Sequence, residues 1–243
     1  MTWNPVTGCY HGCPYCYARK IAVRFGKLDE TGRKTLEKMK PVLCLEKEIG
    51  NPYPYNFYPT YHRYRLNEPS KKREPQNIFV CSMADLFGDW MPAEYITEIM
   101  QACKDAPQHR YMFLSKNPKR YRGFEHEFTE NMWVGTTVTN NDTVLNAEQL
   151  PENAHKFLSI EPLKERLKRG FNLLTAINNV EWVIIGAETG TAKGKVIPQK
   201  EWIDDIVDIC DICHVPVFMK ESVKPIIGEE NMRRKFPWKR TEV

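Results

Sequence analysis

The sequence predicts a parallel α/β fold, and three observations carry that reading. Short apolar runs rich in β-branched or aromatic residues recur at Ile78 to Cys81, Tyr111 to Leu114, Met132 to Val138, Lys156 to Ile160, Val180 to Ile185 and Val215 to Met219. Helical patterns separate them, the clearest being Ile96, Ile99, Met100 and Cys103 after Pro92, and Ile203, Ile206, Val207 and Cys210 after Pro198. The length of 243 residues suits one domain of α/β-barrel size. With the opening run Thr2 to Thr7, the count is seven strands alternating with helices, the signature of a parallel sheet covered by helices. The alternation alone leaves open whether the sheet closes.

The opening run leads into Cys9-Tyr10-His11-Gly12-Cys13-Pro14-Tyr15-Cys16, which holds three cysteines in eight residues. Thiols at that density point to a metal. A structural zinc site is closed by four protein ligands, and an electron-transfer cluster usually has four cysteines; no fourth cysteine lies near this loop. Three readings stand: an iron–sulfur site with an open position, a zinc site completed by His11, and buried structural thiols. The tight turn at Gly12 leaves His11 little room to fold back. Disulfides belong to oxidising compartments, and the chain shows neither a signal-peptide pattern nor an apolar span of membrane length. A cytoplasmic protein with no membrane partner is the expectation.

After the loop, Ile21, Ala22 and Phe25 are expected on one helix face, so the loop joins a strand to a helix. A further helical pattern from Thr31 to Lys40 stops at Pro41. Residues 41–76 then read as an insertion or lid: six prolines, with Tyr53, Tyr55, Phe57, Tyr58, Tyr61 and Tyr64 interleaved with Arg63, Arg65, Lys71, Lys72 and Arg73. Aromatics between cations suit single-stranded nucleic acid, whose bases stack and whose phosphates meet charge. Equally, the tyrosines fit packing onto the domain. Residues 228–243 read as a basic tail on a single domain spanning 1–243.

Composition narrows the classes. Hydrophobic residues at 42% and charged residues at 27% exclude disorder for the bulk of the chain. A net charge of +4 is too mild to establish a nucleic-acid partner. Each strand-like run ends in polar residues: Ser82 to Asp85, Ser115-Lys116, Thr136 to Thr139, Glu161-Pro162, Gly186 to Glu188 and Lys220-Glu221. One such end would be a turn or cap. All of them together predict a lined cavity at the carboxyl ends of the strands. Two other motifs are set aside. Gly190 to Val196 is one residue short of a phosphate loop, and Cys210 and Cys213 continue a helical stripe as core thiols, as Cys103 does.

The spacing C-x3-C-x2-C, with Tyr15 before the last cysteine, resembles the cluster loop of the radical S-adenosylmethionine (radical SAM) superfamily. Thr2 to Cys9, Ser82 to Phe87, Leu158 to Leu163 and Trp182 to Glu188 resemble the phage-associated Gp37/Gp68 family of radical-SAM-like proteins. The resemblance implies a barrel or partial barrel of the radical SAM type and a [4Fe–4S] cluster held by Cys9, Cys13 and Cys16. Its fourth iron would chelate S-adenosylmethionine, with Tyr15 against the adenine. The superfamily's glycine-and-glutamate phrase after the second strand is absent; Ser82 and Asp85 stand in its place. Ser115, Lys116, Thr137, Glu161 and Glu188 become candidates for ribose, carboxylate or substrate contacts. Cys81 becomes a candidate to return a hydrogen atom, as a thiol does in some lyases of the superfamily.

The implied function is an enzyme that takes an electron from an external flavodoxin- or ferredoxin-like reductant. It would form a 5′-deoxyadenosyl radical and abstract hydrogen from a substrate. Basic stretches at Arg63 to Arg73, Lys116 to Arg122 and Arg233 to Arg240 suggest a nucleobase or nucleotide within nucleic acid. A non-catalytic nucleic-acid-binding module with a structural zinc or iron–sulfur site is the alternative.

Overall fold

In the computed structural model, which describes residues 1–26, 41–189 and 194–238, the opening run is two strands rather than one. β1 (Thr2–Trp3) and β2 (Val6–Thr7) are separated by Asn4-Pro5. Proline restricts the residue before it and cannot donate to a ladder, so the chain changes sheets there. The expected helix at 31–40, residues 190–193 of the glycine-rich loop, and Lys239 and Arg240 of the tail lie outside the described residues.

The main sheet has seven strands in the order β1, β5 (Asn77–Val80), β6 (Arg110–Ser115), β7 (Met132–Val138), β8 (His155–Ile160), β9 (Trp182–Ile185) and β10 (Val217–Met219). This is the partial (β/α) barrel of radical SAM type, with β1 and β10 last at either side of that order. Contacts divide the chain into two compact units, Met1–Trp133 and Val134–Val243. Among the described residues no helix is long and apolar enough to cross a membrane.

In the first unit β1, β5 and β6 pair in parallel, with Trp3 beside Val80 and Ile78 beside Tyr111. Helix α2 (Ala93–Lys104) starts after Pro92 and buries Ile96, Ile99, Met100 and Cys103, the stripe its spacing predicts. Each such burial contributes about 1.5–3 kcal/mol. Helix α1 (Tyr17–Phe25) departs from expectation. Ala18 and Ala22 face inward against Phe57 and Met83, while Ile21 and Phe25 are exposed. Small residues four apart let the helix backbone approach that cluster closely, and this outweighs the larger apolar pair.

Residues 41–76 are woven into the first unit. A second sheet runs β2, β4 (Thr60–His62), β3 (Leu43–Leu45), with Val6 opposite Tyr61. Phe57, Tyr58 and Tyr61 are buried, so these rings are core and offer no platform for bases. Tyr61 stacks on Tyr95 at 4.4 Å and donates to Glu98 at 2.7 Å, and Arg63 pairs with Glu98 and Glu46. The Trp3 indole donates to the Arg65 carbonyl, and the Arg65 guanidinium donates to the Asn4 carbonyl, both at 2.9 Å.

In the second unit β8, β9 and β10 pair in parallel, with Leu158 beside Val183 and Val183 beside Val217. Helix α3 (Phe171–Asn178) buries Leu173, Ala176 and Ile177, and α4 (Lys200–Ile212) buries Ile203, Ile206, Val207 and Cys210. Burial pushes the Cys210 thiol up to about 12, as a core cysteine requires, and Cys213 is half-buried at the helix end. The described part of the tail is engaged rather than free. Met219 N–H donates to Arg233 at 2.8 Å and Lys235 N–H donates to Val217 at 3.0 Å; Arg233 pairs with Asp211 and Arg234 with Glu221. Phe236 and Trp238 pack on Trp182 at 5.6 and 5.2 Å.

Candidate active site

The three-cysteine loop follows β2 and ends where Cys16 caps α1, its sulfur accepting the Arg19 N–H at 3.3 Å. Gly8 makes the approach possible. At φ +84° it lies so close to the chain at Tyr58 that a Cβ would fall 2.4 Å from that carbonyl oxygen. Gly8 N–H donates to the Met83 carbonyl and Cys9 N–H to the Phe57 carbonyl, which lays the loop over the end of β5. The Arg19 guanidinium donates to the Cys9 carbonyl at 3.2 Å, tying the loop to the helix it leads into.

All three thiols are free and half-buried. Burial pushes Cys9 up to about 12; the His11 N–H on its sulfur opposes the rise, and Asp85, Cys13 and Cys16 add to it. Such a thiol stays protonated until a metal displaces the proton. Among the described residues no three His, Cys, Asp or Glu side chains already converge as a metal-ligand set. The donor set nonetheless suits an iron–sulfur group: three sulfurs on one short loop, two of them receiving backbone N–H groups. Beside the loop, Trp90 carries a buried indole N–H with no hydrogen-bond partner among the described residues, and its ring packs against Tyr10 and His11.

Asp85 is the hub of the first unit. Oδ1 accepts from Ser115 Oγ at 2.7 Å and Phe87 N–H at 3.1 Å; Oδ2 accepts from Lys116 N–H at 2.9 Å and meets His11 Nε2 at 2.6 Å. Every acceptor position of the buried carboxylate is filled, so in this arrangement it binds protein and not a ligand. Ser115 Oγ also accepts the Asn117 N–H, and Ser82 Oγ donates to the Asn4 side chain. Lys116 is different. Its ammonium donates to the Tyr15 hydroxyl at 3.0 Å and lies 5.4 Å from the ring centre, steadying the loop's aromatic residue. Cys81 follows β5 at φ 58°, buried, its thiol pushed by burial up to about 12.

The second unit gathers its own polar strand ends. Glu188 is buried and paired with Lys164 at 2.8 Å, while Glu161 pairs with Lys220. Gly186 leaves room for the Glu161 carboxylate, which a Cβ would approach to 2.7 Å. Thr137 is buried near the end of β7. Sequence reasoning missed Lys164 and Trp90, of which only Trp90, an aromatic in a polar phrase, carried a signal. It picked out Asn4 only within the opening phrase, and Arg120 only as a basic residue for nucleic acid, whereas the Arg120 guanidinium donates to the carbonyls of Gly88 and Met91.

Residues 1–234 match the model of the family described as "Protein of unknown function (DUF5131)", and the chain belongs to that family. A search of curated proteins finds no match. Solved structures of spore photoproduct lyase share the fold. A cysteine-to-serine variant is 10% identical with a TM-score of 0.57, covering 90% of this chain and 75% of that one. A tyrosine-to-phenylalanine variant is 10% identical with a TM-score of 0.55, covering 88% and 74%. A doubly substituted variant with bound AdoMet and dinucleoside spore photoproduct is 11% identical with a TM-score of 0.51, covering 86% and 60%. At these identities the likeness is one of fold.

Proposed function

We propose that the protein is a radical SAM enzyme. The observation that carries the reading is the C-x3-C-x2-C loop with free thiols, laid over the strand ends of a radical-SAM-type partial barrel. Cys9, Cys13 and Cys16 would hold a [4Fe–4S] cluster. When bound, the cluster and S-adenosylmethionine supply a 5′-deoxyadenosyl radical for hydrogen abstraction, the electron coming from a flavodoxin- or ferredoxin-like donor. Tyr15, held by Lys116, offers its ring to the adenine. Asp85, Ser115 and Ser82 set the positions of the loops that line the site, and Thr137, Glu161 and Glu188 contact cofactor or substrate. Cys81 is kept by burial in the neutral S–H form that a hydrogen-atom donor needs.

The substrate reading is a nucleobase or nucleotide within nucleic acid. Exposed Lys71, Lys72, Arg73, Lys119 and Arg122 support it, together with the dinucleoside spore photoproduct bound by a protein of the same fold. Anaerobic reconstitution tests the enzyme reading. About four iron and four sulfide per chain are expected, with dithionite and S-adenosylmethionine releasing 5′-deoxyadenosine. Zinc in place of iron, or a loaded cluster with no spectral response to S-adenosylmethionine, would refute it.

A further inference from the structure

Between the first two cysteines the chain carries a histidine, and the fold grips its ring from two sides. His11 Nε2 lies 2.6 Å from Asp85 Oδ2, and the Trp90 ring meets the imidazole nearly at right angles, 4.9 Å between centroids. Both partners are themselves held. Asp85 is buried and accepts from Ser115 and from the backbone of Phe87 and Lys116. The Trp90 segment is braced by Arg120, whose guanidinium donates to the carbonyls of Gly88 and Met91. Gly88 is required under the indole, since a Cβ there would come within 2.3 Å of the Trp90 ring.

We propose that His11 is a positioning residue. The Asp85–His11–Trp90 clamp sets the geometry of the three-cysteine loop and withholds the imidazole from metal ligation. The group held by the three thiols then keeps an open coordination position. Swinging His11 toward a metal by Nε2 would strip the buried Asp85 carboxylate of one of its four partners and leave Oδ2 with the Lys116 N–H alone, a costly loss for a charged acceptor. The competing arrangement is a histidine that ligates through Nδ1 and keeps the carboxylate on Nε2, as metal-bound histidines often do. The inference rests on the reading of Cys9, Cys13 and Cys16 as cluster ligands.

Its test uses the full chain as wild type and as the variants His11→Ala, His11→Gln and Cys13→Ala. Each is reconstituted anaerobically and assayed for iron and sulfide, for iron loss to a chelator, and for the spectral response of the reduced protein to S-adenosylmethionine. The His11→Ala protein is expected to load like wild type but to lose iron about tenfold faster, the scale of an outer-shell defect. Its response to S-adenosylmethionine should also change. His11→Gln, whose amide can still donate to Asp85, should restore both properties. Iron content in His11→Ala as low as in Cys13→Ala would make His11 a ligand and overturn the clamp; so would an unchanged rate of iron loss. If wild type takes up no cluster, the enzyme reading fails by itself, and the clamp is judged on the metal-free protein by alkylation of the loop thiols. Faster alkylation in His11→Ala, reversed in His11→Gln, supports it, and equal rates refute it.

Discussion

The polar strand ends of the two units are built from different materials. In Met1–Trp133 one buried carboxylate collects two backbone N–H groups, a hydroxyl and an imidazole. In Val134–Val243 two long lysines face two glutamates, Lys164 with Glu188 and Lys220 with Glu161. The first arrangement is a frame, because two of its four partners are backbone N–H groups and no acceptor is left spare. The second is adaptable. A lysine–glutamate pair balances its charge when nothing is bound, and its flexible stem lets it change partner when an ionic ligand arrives. On the proposed reading, the first unit's fixed frame would serve cluster loading, and the second unit's adaptable pairs a later step.

The largest effect should come from breaking this division directly. Replacing Cys9, Cys13 or Cys16 by Ala should remove the cluster altogether, read as iron and sulfide per chain. Glu188→Gln should load fully yet release 5′-deoxyadenosine about 100-fold more slowly, the usual scale for a lost electrostatic contact in a site. Equal loss of iron in Glu188→Gln would abolish the distinction between the units.

Acid sharpens the comparison next. His62 is fully buried between Thr7 and Tyr64, and burial, with Arg65 nearby, lowers its value to about 3 from an ordinary 6.5. Because the unfolded chain takes up that proton first, stability is complete above 6.5 and falls as pH drops toward 3. The loss between pH 7 and pH 5 should be about 2 kcal/mol in denaturant titrations. In the second unit Arg166 and Arg169 hold Asp205 below its ordinary value of 3.8, so that contribution is lost only at pH below 3.8. His62→Gln should flatten the loss between pH 7 and pH 5; a slope unchanged by the substitution would show that another group carries it.

A smaller effect concerns nucleic acid. Lys119→Ala should weaken oligonucleotide binding and make its salt dependence shallower by about one, as for one lost phosphate contact. Arg120→Ala should instead lower stability, since Arg120 donates to Gly88 and Met91. The reverse pattern would put the phosphate contact on Arg120. Smallest of all, Cys213→Ala should leave iron and sulfide at the wild-type level.

What was legible in the sequence was written locally. Six of the seven main-sheet strands follow from apolar, β-branched or aromatic runs, while the opening run was read as one strand and is two; the α2 and α4 stripes follow from helical spacing, and the cysteine loop from its own eight residues. What was not legible depends on partners far along the chain. Asp85 looked like a ligand for S-adenosylmethionine because nothing nearby in sequence announces donors from His11 and Lys116, 74 and 31 residues away. The tyrosines of residues 53–64 were ambiguous for a related reason. A ring among cations suits a base or a core equally well, and only burial decides, as it does for Phe57, Tyr58 and Tyr61. In α1 the pattern put Ile21, Ala22 and Phe25 on the inner face, yet only Ala22 is buried there, joined by Ala18, because small side chains allow close backbone approach.

The pairing of Arg233 and Lys235 with β10 has a consequence for solubility. A terminal strand of a sheet presents unused N–H and C=O groups that can recruit another chain. Here the polypeptide covers its own exposed margin with a short antiparallel segment centred on Arg234 opposite Phe218, flanked by charge on one side and by Phe236 and Trp238 on the other. Removing residues from 233 onward would uncover β10 together with the Trp182 and Phe218 rings. The shortened protein should therefore self-associate, a tendency visible by light scattering, while its cysteine loop remains in place.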